Sequence, residues 1–238
     1  DKLKIPIDLS VVSTDMHSHL IPGIDDGCTS LAESVELVRS LYNMGYKKIV
    51  TTPHIMSEYF MNKPENIKSG YEKLVTAVKE ADIPILIEYA AEYIADNEFA
   101  KKLKTSELLT FGNRYVLIEL SAYAPPDNLF HIIFDLKNMG YNPILAHPER
   151  YVYWHYNFEH YVSLREREIF FQINLPSLSR YYSPQVQKIS EQLIDAGLVD
   201  FIGTDLHNRI YLHEVEKSRY SKYLEKLISS DKLLNNTL

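Results

Sequence analysis

The sequence is constrained most by where its metal-ligand side chains fall. Five short segments, Asp15-Met16-His17-Ser18-His19, Thr52-Pro53-His54, Ala91-Glu92, Ala146-His147-Pro148-Glu149-Arg150 and Thr204-Asp205-Leu206-His207, each close an apolar, strand-like run. Imidazoles and carboxylates scattered over nearly the whole chain converge only if parallel strands bring their C-terminal ends together, as in a closed βα barrel. Strand-type runs at 11–16, 48–52, 83–89, 115–120, 143–146, 169–173 and 200–203 alternate with helical periodicity at 31–44, 64–81, 129–139, 158–168, 184–196 and 213–228, and more weakly at 97–104. Gly45, Gly140 and Gly197 stand where a helix should stop before the next strand. The expectation is an α/β fold with a distorted seven-stranded (βα)7 TIM-like barrel, with an open doubly wound sheet as the alternative. With 45% apolar residues in 238, one domain over 1–238 is expected.

Charge and cysteine content narrow the function. A net charge of −7 argues against a broad grip on nucleic acid. No apolar run reaches membrane-span length, so no membrane segment is expected in the chain. Cys28 is the single cysteine and forms no intrachain disulfide, which makes a cytoplasmic location the default.

Each segment has a chemical and a plain structural reading. His17 and His19, two apart, face one side of an extended strand and suit one ion, or else are two hydrogen-bonded strand-end histidines. Asp25-Asp26-Gly27 is a turn that could return a carboxylate over the site. His54 alone reads as structural. Glu92 and Glu119 end or interrupt apolar strands, where an unpaired carboxylate is costly without a cation, and Glu88 competes with Glu92 for that role. Arg150 is a candidate clamp for a phosphate, against a salt bridge to Glu149 or another carboxylate. Asp205 and His207 repeat the spacing of two. His131, His155, His160 and His213 read as ordinary surface or packing residues.

As an ordered set, His17-Ser18-His19-Leu20-Ile21-Pro22-Gly23-Ile24-Asp25-Asp26-Gly27, Thr52-Pro53-His54, Ala91-Glu92, Leu117-Ile118-Glu119, Ala146-His147-Pro148-Glu149-Arg150-Tyr151 and Asp205-Leu206-His207-Asn208 resemble the PHP (polymerase and histidinol phosphatase) superfamily. Within it they are similar to the bacterial protein-tyrosine phosphatases of capsular and exopolysaccharide synthesis. The resemblance implies the PHP fold and three divalent ions, manganese or iron for preference and zinc as a further option. One ion would take His17, His19, Glu92 and Asp205; a second Glu119 and His147, bridged by Glu92; a third Asp26, His54 and His207. Asp26 is preferred to Asp25 on the family's spacing. The family's second arginine follows the last histidine in a glycine-containing loop. Here Arg209 comes two residues after His207 with no glycine, so Arg209 is a candidate catalytic residue beside Arg150.

The expected chemistry is phosphomonoester hydrolysis by a metal-activated hydroxide attacking phosphorus. Cys28 has no Cys-x5-Arg arrangement for a covalent route. The implied substrate is a phosphotyrosyl protein such as a tyrosine kinase of polysaccharide export. Tyr151, Tyr153, Trp154 and Tyr156 suggest an aromatic rim for its ring, or a packed loop at the site's mouth. The rival readings are a small-molecule phosphatase of the histidinol-phosphate type, a nuclease of the same superfamily, and a non-catalytic PHP binding module.

Overall fold

The computed structural model describes residues 3–238. The chain runs β1 (Thr14–Asp15), α1 (Leu31–Asn43), β2 (Lys48–Thr51), β3 (His54–Ile55), α2 (Pro64–Glu80), β4 (Leu86–Tyr89), β5 (Glu92–Ile94), α3 (Asn97–Lys102), β6 (Tyr115–Glu119), α4 (Leu129–Asn138), β7 (Asn142–Ala146), α5 (Glu159–Arg165), β8 (Phe170–Asn174), α6 (Pro184–Asp195), β9 (Phe201–Gly203), α7 (Arg209–Ser218) and α8 (Lys222–Ile228). Local chemistry sets the helices. Ser30 caps α1 by accepting from Glu33 N, Leu37, Val38 and Leu41 form its buried stripe, and Gly45 ends the turn at φ 110°. A Cβ at Gly45 would lie 2.2 Å from Asp8 Oδ1, so the position requires glycine twice over. Ser183 and Pro184 open α6 in the same manner. The single helix expected at 213–228 is two, because Asn208 starts α7 early by accepting from Ile210 N and Tyr211 N, and Ser221 caps a new helix after a turn.

All strands pair in parallel, in a three-stranded sheet β1-β2-β4 and a six-stranded sheet β3-β5-β6-β7-β8-β9. The sequence led us to expect seven strands. The difference arises where two of them break, at Thr52-Pro53 and at Ala90-Ala91, since proline has no N–H for a ladder. Register survives the break: Tyr89 opposite Thr51 and Glu92 opposite His54 are each 38 positions ahead (89 − 51 and 92 − 54). Ala90 N donates to Thr51 O and Glu92 N to Pro53 O across the gap. Residues just beyond β1 also meet those just beyond β9: Ser18 bridges Leu206 in parallel, Asp205 N donates to His17 O and His19 N to Leu206 O. Beneath them Asn235 ties the same two strands, its Nδ2 donating to Thr14 O and Ile202 O.

Two apolar clusters result. The larger lies where the helices meet the strands. The smaller gathers Met16, Val50, Ala90, Leu117, Ile144, Ala146 and Phe201, drawn from almost every strand or the residue just after it. Strand periodicity then puts His54, Glu92 and Glu119 on the same side as Val50, Ala90 and Leu117, further along each strand. The polar site is thereby stacked on the apolar layer. Among the described residues no helix is long and apolar enough to cross a membrane.

Candidate metal centre

The five sequence segments meet at the C-terminal ends of the strands. His17, His19, Glu92, His147 and Asp205 are buried, as are His54 and His207, while Glu119 is half-buried. His17 Nε2 lies 3.1 Å from Glu92 Oε2 and 3.3 Å from Asp205 Oδ1, and His19 Nε2 lies 3.4 and 3.5 Å from the same two atoms. The two Nε2 atoms are 3.3 Å apart. Asp26 Oδ1 stands 3.4 Å from both His54 Nε2 and His207 Nε2. His147 Nε2 is 3.1 Å from Glu92 Oε1 and 3.9 Å from Glu119 Oε2. Glu88, the competitor for Glu92, pairs instead with Lys48.

Partners outside the cluster fix the imidazoles. His17 Nδ1 donates to Gln172 Oε1 at 2.8 Å, His19 Nδ1 to Asp25 Oδ2 at 2.8 Å and His207 Nδ1 to the Asp205 carbonyl at 2.8 Å. In its neutral form each therefore turns an unprotonated Nε2 inward, as a metal ligand must. Asp205 is treated likewise, because its Oδ2 takes Asn174 Nδ2 at 2.7 Å and Arg150 Nη1 at 3.1 Å, leaving Oδ1 for the histidines. Backbone geometry contributes: His147 at φ 36° and Asp205 at φ 51° are left-handed, which turns their side chains out of the regular strand alternation.

The donor set fits divalent cations. Lone pairs of His17, His19, Glu92 and Asp205 face one another at close range without a proton between the two imidazoles, an arrangement that a cation relieves. His54 Nδ1, Glu92 Oε2 and Glu119 Oε1 are buried with no hydrogen-bond partner among the described residues, although His54 Nδ1 lies 3.2 Å from Glu92 Oε2 and 3.1 Å from Glu119 Oε1. Four groups of three or more such residues are close enough to share an ion: His19, Asp26, His54 and His207; His17, His19 and Glu92; His17, His147 and Asp205; and His54, Glu92 and Glu119. His54 thus reaches Glu92 and Glu119 as well as Asp26, and His147 reaches His17 and Asp205, contacts that the allocation implied by the resemblance did not include. The field has the matching sign. Burial opposes charge throughout, yet Glu92 and Asp205 are held well below the carboxylate range by the surrounding imidazoles. Burial and the neighbouring His19 pull the His54 ring down, but Glu92, Asp26 and Glu119 outweigh them and raise it to about 10.

Arg150 lines the same cavity of about 220 Å³ with Glu119, His147 and Tyr211. Its salt bridge goes to Asp205 rather than Glu149, and its guanidinium sits 4.5 Å over the Tyr182 ring. That bond occupies one of five N–H donors. Arg209 is not brought to the cluster: at the first turn of α7 its side chain is 69% exposed and pairs with Glu36. The suggested aromatic rim divides. Tyr151 and Trp154 are core residues, and the hydroxyls of Tyr151 and Tyr153 brace the 120–121 segment. Sequence reasoning missed Gln172, Asn174 and Tyr182, although polar residues spaced by two at the end of a buried strand were a usable signal.

Fold and site together define a parallel α/β protein with a histidine–carboxylate centre suited to divalent metal. The chain belongs to the capsular polysaccharide synthesis CpsB/CapC family, whose model matches residues 13–232. It is 30% identical over 195 residues to tyrosine-protein phosphatase YwqE of Bacillus subtilis (82% of this chain, 77% of the relative). Its identity to tyrosine-protein phosphatase CpsB of Streptococcus pneumoniae is 28% over 200 residues, 82% of each chain. One solved chain, from the crystal structures of YwqE of Bacillus subtilis and CpsB of Streptococcus pneumoniae described as unique metal-dependent tyrosine phosphatases, superposes with a TM-score of 0.78 at 28% identity over 94% of both chains.

Proposed function

We propose that this chain is a metal-dependent protein-tyrosine phosphatase. The observation that carries the reading is the approach of the His17 and His19 Nε2 atoms to Glu92 and Asp205, 3.1–3.5 Å away, beside the guanidinium of Arg150. The nine ligands are His17, His19, Asp26, His54, Glu92, Glu119, His147, Asp205 and His207, and they hold three ions, manganese or iron before zinc. The broken strands support a scaffold of seven strands closed through Ser18 and Leu206 into one domain. Bound divalent ions would supply an acidified water as nucleophile and neutralise phosphoryl charge. The protein's own contribution is positional. Gln172, Asp25 and Asn174 orient the ligands, and Arg150, steadied by Asp205 and Tyr182, presents its free N–H groups to phosphoryl oxygens. The family's setting makes a tyrosine kinase of polysaccharide export the fitting substrate, and a cytoplasmic site of action goes with it.

The test is hydrolysis of a phosphotyrosyl peptide by the protein as purified, after chelation, and after adding back manganese, iron or zinc, with His147→Ala as control. Metal-restored activity that His147→Ala abolishes is expected. Absence of turnover with every ion, alongside measured ion binding, overturns the reading.

A further inference from the structure

A second cavity, of about 810 Å³ and so within the range of small-ligand sites, shares no lining residue with the one at the metal centre. It is a groove between α6 and the turn that joins α7 to α8. Arg180 and Lys188 line one wall, and Lys217 and Lys222 line the other; the lining carboxylate is Glu191. Four cations against one carboxylate, in a chain of net charge −7, give the groove a sign opposite to that of the molecule as a whole. Hydrogen bonds set both walls. Gln187 Oε1 accepts from Arg180 Nε at 2.8 Å and its Nε2 donates to Leu178 O at 3.3 Å, which holds Arg180 against α6. The buried Glu214 accepts from Ser179 Oγ at 2.7 Å and from Lys217 Nζ at 2.6 Å, and so ties one wall to the other. Among the described residues Lys188 has no carboxylate partner.

We propose that this groove is a ligand site separate from the metal centre and that it takes a small molecule carrying a diphosphate group. Charge selects an anion, and the arrangement of the cations selects its length. They stand as a pair on each wall, so two linked phosphoryl groups engage both pairs where a single one engages only one. Gln187 uses one of the five N–H donors of Arg180, which leaves the rest of the fork for phosphoryl oxygens. The twelve-residue helix α6 begins at Pro184 on the same groove and adds the positive end of its dipole to the side-chain charges. The cavity is larger than a diphosphate alone, and Leu178 and Tyr223 line it as surfaces for an organic substituent. Because hydrogen bonds brace both walls, the groove exists before its ligand arrives.

The test is calorimetric binding to the metal-loaded protein, with free metal in excess of the probe. The probes are methylenediphosphonate and its adenosine ester, whose P–C bonds resist hydrolysis. Two binding events are expected in the parent, one at the metal centre and one in the groove. The double variant Arg180→Glu/Lys188→Glu should weaken one event at least about tenfold and Lys188→Glu should weaken the same event by less, since each removes a charge-assisted contact. Arg150→Ala, which removes the guanidinium of the metal centre, should leave that event within about twofold. Arg180 and Lys188 are both exposed, and urea midpoints matching the parent's certify that the variants fold. Tighter binding of the adenosine ester assigns the groove to an organic diphosphate, and equal binding assigns it to the inorganic anion. Absence of any event sensitive to the charge reversal overturns the proposal. No turnover enters the readout, so either result leaves the phosphatase reading to its own test.

Discussion

Asp25→Asn replaces one oxygen by an amide and isolates the work of a carboxylate behind the metal centre. Asp25 Oδ2 accepts from His19 Nδ1 at 2.8 Å and from His54 N at 3.1 Å, and Oδ1 accepts from Gly27 N at 3.0 Å. Every neighbour is a donor, so an amide –NH2 has no acceptable orientation. If it faces His19, the imidazole must move its proton from Nδ1 to Nε2, where His17 Nε2 lies 3.3 Å and Glu92 Oε2 3.4 Å away, and the lone pair meant for an ion is gone. Flipped, it opposes Gly27 N–H and loses a buried backbone hydrogen bond, which costs roughly 1–3 kcal/mol. Loss of such a partner of a ligating histidine lowers metal affinity by about 10–100-fold, equivalent to roughly 1.4–2.7 kcal/mol. The assay is competition with a calibrated chelator, paired with thermal unfolding in excess EDTA. The expected result is the affinity loss with a midpoint lowered by about 2–12 °C, since 1 kcal/mol shifts a chain of this size by roughly 2–4 °C. Affinity within twofold of the parent refutes the argument.

Arg209→Ala should leave kcat and KM for a phosphotyrosyl peptide within about twofold and stability within roughly 0.5 kcal/mol, because its pair with Glu36 is solvent-exposed; steady-state kinetics check this. Gly203→Ala puts a Cβ 2.7 Å from His17 Cβ and 3.0 Å from Gln172 Nε2, so it should destabilise by about 1–3 kcal/mol in urea unfolding and weaken metal binding by displacing His17. Burial raises the Cys28 thiol from 9.0 to about 11, so in the native chain it should resist a disulfide reagent at pH 8 and react once urea unfolds the protein. Because the folded value lies above the unfolded one, its contribution to stability is complete below pH 9 and lost as pH rises through 11, which unfolding curves across that window read out.

The alternation of strand and helix was legible because apolar periodicity and glycine stops agreed, as at Gly45 and Gly140. The segments carrying imidazoles were legible because a polar residue ending an apolar run contradicts burial and needs a partner. Breaks in strands were less visible. Pro53 announced one, but Ala90-Ala91 carries no breaking residue of its own and is interrupted because Pro53 stands opposite it without an N–H. Arg209 misled because linear distance from His207 says nothing of helix phase: Asn208 caps α7 and sends Arg209 toward Glu36 on α1. The sequence leaves the Tyr151 cluster open between a rim and a packed loop, because an aromatic run reads alike in either, and the hydroxyls of Tyr151 and Tyr153 bracing residues 120–121 match the packed loop. Gln172 and Asn174 show the reverse case, two polar residues on β8 whose only sign was their period.

The meeting of Ser18 with Leu206, and the tie from Asn235 to Thr14, have a consequence for biosynthesis. Strand β1 finds its final neighbour only when β9 and the turn after α8 have followed. Contacts of this sequence separation are slow to form, and a parallel architecture has no local hairpins to hold the early strands meanwhile. A nascent chain stopped before Asp205 exposes the edge of β1 and carries histidines without that carboxylate partner. Capacity to bind metal and to act on substrate therefore arrives abruptly, once β9 and the residues after it have emerged, rather than accumulating strand by strand.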